Sequence, residues 1–372
     1  MLLLGGKRLR AKKGPPDFIL FITTMALLGI GLVMVFSSSA VTSNIRYDDA
    51  YHFFKRQLYW AILGIMAMLV IMKINYSKLK DLALPLMLIS LICLILVITP
   101  LGIEVNESNR WLGVGFLRFS PSELAKLGMI MFLARTMDQN LSSIRSFSKG
   151  VLPYLLLVAL VGGLIMLQPD LGTAFAIAAT VFFMLLAAGA KWSHLGAVFM
   201  AGIGAILAAI AVAPYRLERL VAFLNPWKYA GDEGYQTIQS LYALGSGGLF
   251  GMGLGRSRQK FFYLPEQHTD FIFAILGEEL GFVGASLVLL LFLLFAWRGF
   301  RAAIKAPDTF GSLLAVGITL MIVFQALVNI AVVAGALPVT GITLPFISYG
   351  GSSLLFTLCG VGLLLNISRY CN

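Results

Sequence analysis

The chain has 372 residues, 59% hydrophobic and only 12% charged, with a mean hydropathy of +0.89. Soluble domains carry about a quarter charged residues and under half apolar ones, so the composition excludes a cytosolic or secreted globular protein and indicates a polytopic membrane protein. The net charge of +11 is accounted for by basic residues collecting in cytoplasmic loops and implies no nucleic-acid partner.

The chain starts with Lys7, Arg8, Arg10, Lys12 and Lys13 ahead of an apolar run from Phe18. No small-residue cleavage pattern follows and the run is long enough to span, which predicts a cytoplasmic basic N-terminus, 1–17, and an uncleaved first span. A span needs about 20 mostly apolar residues. Ten are predicted, near 18–39, 57–74, 81–99, 121–137, 151–168, 170–189, 193–213, 270–296, 309–335 and 345–367. The nearly continuous apolar stretch 151–213 is divided at Gln168-Pro169-Asp170 and at Gly189-Ala190-Lys191-Trp192, because Pro, Gly and charge punctuate helices. With both termini cytoplasmic, the inner segments hold sixteen Lys and Arg, against five in the short outer loops: Arg46, Lys55, Arg56, Arg110 and Arg118. That asymmetry supports the assignment. The expected architecture is all-α, one membrane domain over 18–368 with ten transmembrane helices and a large outer loop, about 214–269, between spans seven and eight.

Two outer segments, 100–120 and 214–269, are too long for turns and rich in Trp, Tyr, Phe and Gly, which is not the composition of disorder. Ordered structure is expected there. Cys93, Cys359 and Cys371 indicate neither a disulfide framework nor a thiolate metal site.

The scarce charges in awkward places carry most of the functional information, since an ionisable group inside a membrane is expensive. Glu123 and Lys126 are three residues apart on one helix face and read equally as a lock within the bundle or as part of a site. Asp170, after Gln168-Pro169, reads as a helix N-cap, with an inward-facing role as the minority alternative. Arg56, where the second span begins, either snorkels to the interface or contacts an anion. Asp270 stands in KFFYLPEQHTDFIFAILGEELG with Glu266 and His268 beside it and Arg256, Arg258 and Lys260 upstream. An N-cap from Thr269 or Asp270 is the plain reading. A carboxylate, an imidazole and three cations beside apolar walls also suit a base acting on an anionic, lipid-linked substrate. Glu278 and Glu279, roughly 12 to 14 Å further along the same helix, face the bundle or tie spans together.

HExxH, CxxC, GxSxG and Walker patterns are absent, and three histidines do not make a multi-histidine metal site. The run GSGGLFGMGLGRSRQK, 245–260, misses the GxGxxG spacing. It either lets backbone approach a phosphate or serves close helix packing. Pro338, Gly341, Pro345, Gly350 and Gly351 break the last hydrophobic region, and irregular backbone at membrane depth implies an internal cavity.

The strings NRWLGVG, FSPSELAK, QPDLGTA, NPW, the long run from Gly234 to Gly281 and PVTGITLPFISYGGSS together resemble the SEDS family (shape, elongation, division and sporulation), which includes FtsW, RodA and SpoVE. The resemblance covers about Pro16 to Arg369 and is stronger to the FtsW/SpoVE branch. It implies a ten-span protein of the bacterial cytoplasmic membrane. Such a protein polymerises lipid II, the undecaprenyl-pyrophosphate-linked disaccharide pentapeptide, at the outer face, beside a class B penicillin-binding protein transpeptidase and divisome or sporulation proteins. The family's essential aspartate falls on Asp270, its outer-loop tryptophan on Trp111, its Glu/Lys pair on Glu123 and Lys126, its arginine before the second span on Arg56, and its QPDLG aspartate on Asp170.

That reaction is an inverting single displacement, which needs one base at the attacking hydroxyl and positive charge at the leaving pyrophosphate. Asp270 is expected as base, with Arg56, Lys126, Arg256 and Arg258 on the pyrophosphate and His268 at the substrate. A divalent cation, Mg²⁺ or Mn²⁺, can share the work, although the sequence defines no metal cage. A flippase or transporter of the same lipid-linked precursor is the rival, because buried charge and broken helices also make transport sites.

Overall fold

The computed structural model describes residues 13–105, 108–114 and 117–371; Lys7, Arg8, Arg10 and Lys12, in the expected basic N-terminus, lie outside the described residues. The chain runs through α1 (Phe18–Tyr47), α2 (His52–Lys73) and α3 (Tyr76–Ile98) into a three-stranded antiparallel meander of β1 (Ile103–Val105), β2 (Ser108–Val114) and β3 (Leu117–Phe119). Then follow α4 (Pro121–Gln139), a wide helical turn at Phe147–Val151 leading into α5 (Leu152–Met166), α6 (Leu171–Ala187), α7 (Trp192–Val212), α8 (Pro214–Leu224), α9 (Tyr235–Ser246), α10 (Ile272–Lys305), α11 (Thr309–Val333) and α12 (Gly351–Ser368). Among the described residues, eight helices are long and apolar enough to cross a membrane. Two further helices occupy the remaining predicted segments: α4, which carries Glu123 and Lys126, and α6, which has 17 residues.

The bundle is closed by its first and last helices. α1 packs on α2 and α10, α2 on α12, α3 on α4, and α11 is wrapped by α10, α4 and α6. α7 is peripheral, touching α6 and α8 and burying only Leu195. At one end of the bundle the Gly14 amide donates to the Arg369 carbonyl at 2.7 Å, Asp17 pairs with Arg298, the Tyr76 hydroxyl donates to Asp308 at 2.9 Å and Lys80 pairs with Asp138. These segments, all predicted cytoplasmic, therefore share one end. The meander, α8, α9 and the segments 247–271 and 334–350 occupy the other.

The long segment 214–269 is not simply a loop. It contains α8, whose Tyr215, Leu217, Val221 and Leu224 are exposed among Arg216, Glu218 and Arg219, and α9. The meander is a small β addition to an otherwise helical chain, in the segment where order was expected.

The Gly-rich run serves close packing. Helix α10 is broken at Gly281 (φ +67), and the backbone groups this frees are taken up by the run: Phe282 N donates to Gly248 O at 2.9 Å and Val283 N to Leu249 O at 3.1 Å, while Met252 N and Gly253 N donate to Glu278 O and Glu279 O, both at 3.0 Å. A Cβ on Gly251 (φ +80) would lie 2.1 Å from the Glu279 carbonyl oxygen, so only glycine allows the approach. Glu278 and Glu279 finish the join. Glu278 accepts from the Ser257 hydroxyl and, at 2.9 Å, from Arg258 N; Glu279 accepts from Ser37 and, at 3.0 Å, from Lys260 Nζ, in a pair with 0% and 5% side-chain exposure. Glu279 thus ties α1 to α10, while Glu278 holds the segment after the Gly-rich run onto α10.

Candidate active site

Asp270 lies in the turn just before α10, whose helix starts at Ile272, so the carboxylate stands outside the helix rather than within the eighth span. The N-cap reading fails for both of its candidates. The cap position is Phe271, which makes no side-chain cap bond, and the Thr269 hydroxyl is spent on Glu266. The Asp270 carboxylate is half-buried and has no hydrogen-bond or ion-pair partner among the described residues.

Its backbone is fixed from the irregular segment 334–350 and from α11. One Asn329 amide donates to the carbonyls of Asp270 and Ile342, each at 2.7 Å. Ser348 Oγ donates to Thr269 O at 2.6 Å and accepts from Leu344 N at 2.8 Å; Tyr349 N donates to His268 O at 2.9 Å. Gln57 of α2 clamps the far side, donating to Ser348 O at 3.1 Å and accepting from Gly350 N at 3.2 Å. The predicted tenth span is therefore helical only from Gly351, and the chain before it walls the site. At Gly341 (φ +74), a Cβ would sit 3.7 Å from Asp270 Oδ2.

The opposite wall comes from α6. A Cβ on Gly172 would meet Thr340 O and Ile342 Cγ1 at 2.8 Å, so glycine brings the start of α6 onto the Thr340–Ile342 backbone. Asp170 caps that helix, Oδ1 accepting from Thr173 N at 3.0 Å and Oδ2 from Thr173 Oγ1 at 2.8 Å. The favoured N-cap reading thus agrees with the geometry, yet the same side chain also acts on Asp270. Arg110 of β2 fixes the corner before it by donating to Gln168 O at 2.9 Å and Pro169 O at 2.7 Å. Burial, then the carboxylates of Glu266 and Asp170, push the Asp270 carboxyl up to about 7, against the opposing pull of Arg110 and Arg219.

Lys126 is buried, paired with Glu123 at 2.8 Å and donating to Gln325 Oε1 at 2.9 Å, while Gln325 Nε2 donates to Thr343 O at 3.0 Å. The α4 pair is thereby wired to the same irregular segment. Arg56 is half-buried, and its charge acts on the Tyr349 hydroxyl, whose pKa is pushed up chiefly by burial. The His268 ring packs on Phe53 at 4.6 Å and Tyr349 at 5.7 Å; burial pulls its pKa down, against the Glu266 carboxylate. Trp111 is half-buried on β2, across from Ile103. Arg256 and Arg258 are exposed, with the Arg258 backbone tied to Glu278, and neither is among the charges that act most on Asp270. Asp270 and Asp170 are thus brought together, Lys126 and Arg56 reach the adjoining wall, and Arg256 and Arg258 stand apart.

Sequence reasoning passed over Gln325, Asn329, Arg110 and Arg219. The first two had a signal: an amide pair four residues apart on one face of an apolar helix. Arg110 had been counted only toward topology, and Arg219 only within a long segment that reports orientation poorly.

Residues 18–372 match the family described as Cell cycle protein, FtsW/RodA/SpoVE. The chain is 50% identical over 360 residues to stage V sporulation protein E of Bacillus subtilis, covering 96% of this chain and 98% of that one. It is 43% identical to a probable peptidoglycan glycosyltransferase FtsW of Trichlorobacter lovleyi, covering 95% and 93%. Among solved structures it is similar to a chain from work on the structural coordination of polymerization and crosslinking by a peptidoglycan synthase complex, with TM-score 0.79, 32% identity and coverage of 95% and 98%. It is also similar to the rod shape determining protein RodA of Thermus thermophilus, with TM-score 0.70, 31% identity and coverage of 96% and 97%. The resemblance first seen in the QPDLGTA, YLPE and LPFISYGGSS strings extends over the whole membrane domain, and the chain belongs to the SEDS family of FtsW, RodA and SpoVE.

Proposed function

We propose that this chain is a peptidoglycan glycosyltransferase that polymerises lipid II into glycan strands, with Asp270 as general base. The GlcNAc 4-hydroxyl of one molecule attacks the MurNAc anomeric carbon of another; the new C–O bond forms as the bond to pyrophosphate breaks, with inversion from α to β, and the hydroxyl proton passes to the Asp270 carboxylate. The single observation that carries this reading is a half-buried carboxylate with no structural bond of its own, tuned to titrate near neutrality. Lys126 and Arg56, in the adjoining wall, supply positive charge for the leaving pyrophosphate; Asp170, Trp111, Glu123 and His268 shape the substrate cavity.

The residues around Asp270 do not make a protein-held cation site. Asp170 spends both oxygens on Thr173, and among the described residues no three metal-ligating side chains converge. A Mg²⁺ or Mn²⁺ ion would come bound to the substrate's own phosphates.

Ten crossings with both termini cytoplasmic and Asp270 at the outer face are supported by the clustering of the predicted cytoplasmic segments at one end. The likeness to the synthase-complex chain supports a class B penicillin-binding protein as partner, and the likeness to stage V sporulation protein E and to FtsW supports a sporulation or division setting. An enzyme is favoured over a transporter because Asp270 lies at the end of the bundle, just before α10, and not halfway along it. The test is Asp270→Asn in purified, folded protein supplied with its cognate transpeptidase and lipid II. Polymer is expected from the parent chain and none from the variant; near-parental product from Asp270→Asn would remove the assignment.

A further inference from the structure

A groove of ≈ 970 Å³ opens between α8, the turn after it and the start of α9, lined among others by Arg219, Tyr229, Glu233, Tyr235, Gln236 and Pro265. It adjoins the site just described: Pro265 precedes Glu266, and Arg219, on the groove wall, is one of the charges acting on Asp270. Its volume is at the upper end of that of small-molecule sites.

From this groove we infer a binding subsite for the growing glycan, holding the sugar residues that lie beyond its pyrophosphate-linked end between rounds of addition. The inference rests on the glycosyltransferase reading above and adds a second site to it. Three features select a sugar chain over the other half of the substrate. The first is charge. Glu218, Asp232 and Glu233 line the groove against Arg219 alone, and Arg219 is already paired with Glu233 at 3.3 Å. Such a surface repels a pyrophosphate and leaves carboxylate oxygens free to accept from hydroxyls. The second is shape and surface. Tyr229 and Tyr235 are half-buried flat rings with a polar edge, the Lys228 ammonium lying over one face of Tyr229 at 5.8 Å from its centroid, and Gln236 offers donors and an acceptor together. A pyranose ring presents the same alternation of C–H face and hydroxyl rim. The third is position. A polymerase that adds at the base must park a product that is lengthening, and this groove, lined by polar side chains as well as Leu217 and Val221, holds the Arg219 that acts on Asp270 and the Pro265 that precedes Glu266.

The test uses the full chain with its transpeptidase in detergent. Tyr229→Ala and Gln236→Ala should shorten the glycan made from lipid II several-fold and weaken binding of a soluble tetrasaccharide of alternating GlcNAc and MurNAc by at least tenfold, whereas Tyr229→Trp, which keeps the flat face, should retain both. Glu218→Lys with Asp232→Lys should make polymerisation several-fold more sensitive to added inorganic pyrophosphate. Parental glycan lengths and parental tetrasaccharide binding in both alanine variants would overturn the subsite. So would loss of transpeptidase association with tetrasaccharide binding intact, which would make the groove a seat for the partner protein. A parent chain that binds the tetrasaccharide but makes no polymer would refute the glycosyltransferase reading and leave the groove standing.

Discussion

Asn329 grips the carbonyls of Asp270 and Ile342 with one amide group, both at 2.7 Å, so the proposed base and the wall it faces share one fixed point. Asn329→Ala releases both at once. Each orphaned buried carbonyl costs about 1–3 kcal/mol, and a displacement of about 1 Å at a reacting group can cost on the order of 10²-fold in rate. Lipid II turnover should fall by about 10- to 100-fold while the protein still purifies as a folded species. Parental turnover would show that the Asp270 turn holds itself.

Because the Asp270 carboxyl is pushed up to about 7 and the base must be ionised, polymerisation should rise with pH through about 7. Glu266→Gln and Asp170→Asn each remove a carboxylate that raises it, and should move that limb to lower pH; the asparagine can still cap α6. Arg219→Gln should move it to higher pH. Initial rates from pH 5.5 to 9 decide, and unmoved profiles would place the titration elsewhere.

The same shift has a stability sign. The folded value lies above the ordinary carboxylate value of 3.8, so the folded state favours the protonated form, and ionisation weakens the fold increasingly as pH rises from about 4 to 7. Asp270→Asn should therefore raise the melting temperature at pH 8 and leave it nearly unchanged at pH 4, in the variant expected to be inactive. Thermal unfolding in one detergent at both values checks this.

Lys126 separates locking from chemistry. Lys126→Met strands the half-buried Glu123 and the Gln325 oxygen, and removing one partner of a buried ion pair costs up to about 3–5 kcal/mol. Adding Glu123→Gln discharges the site and should restore most of the stability. Turnover should stay down by about 10²-fold or more, as expected when a cation that meets developing charge is lost. A double variant with parental turnover would reduce the pair to a lock.

The α10 break offers a comparison between glycines. Gly251→Ala drives a Cβ to 2.1 Å from backbone at φ +80 and should abolish folded protein. Gly255→Ala, at φ +78 with open space around it, meets only the left-handed penalty of about 1–2 kcal/mol. Expression and monodispersity of the two report the difference.

Legibility from sequence followed the range of the forces involved. The helices were readable because apolar length is a local property, and boundaries moved mainly where capping or irregular backbone intervened, as at Ile272 and Gly351. The Asp170 cap was readable because capping acts over three residues. What decided Asp270 was not local: the failure of its capping alternative, the Asn329 grip, and an α6 start brought alongside by Gly172. Arg256 and Arg258 stand near Asp270 in sequence, but their segment is tied to Glu278 two turns down α10. The meander stayed hidden because its strands are short.

The pairing of the first helices with the last sets the order in which this protein can be completed. Ser37 needs Glu279, which follows it by 242 residues, while Gln57 needs Ser348 and Asp17 needs Arg298. At synthesis rates of about 5–20 residues per second, Ser37 waits roughly 10–50 s for its partner. Through that interval α1 and α2 sit in the bilayer with polar groups unclaimed and a lipid-facing surface that later becomes interior. The stretch from α10 to α12 is thus a keystone, and synthesis that stops short of α12 leaves α2 without the helix it packs on.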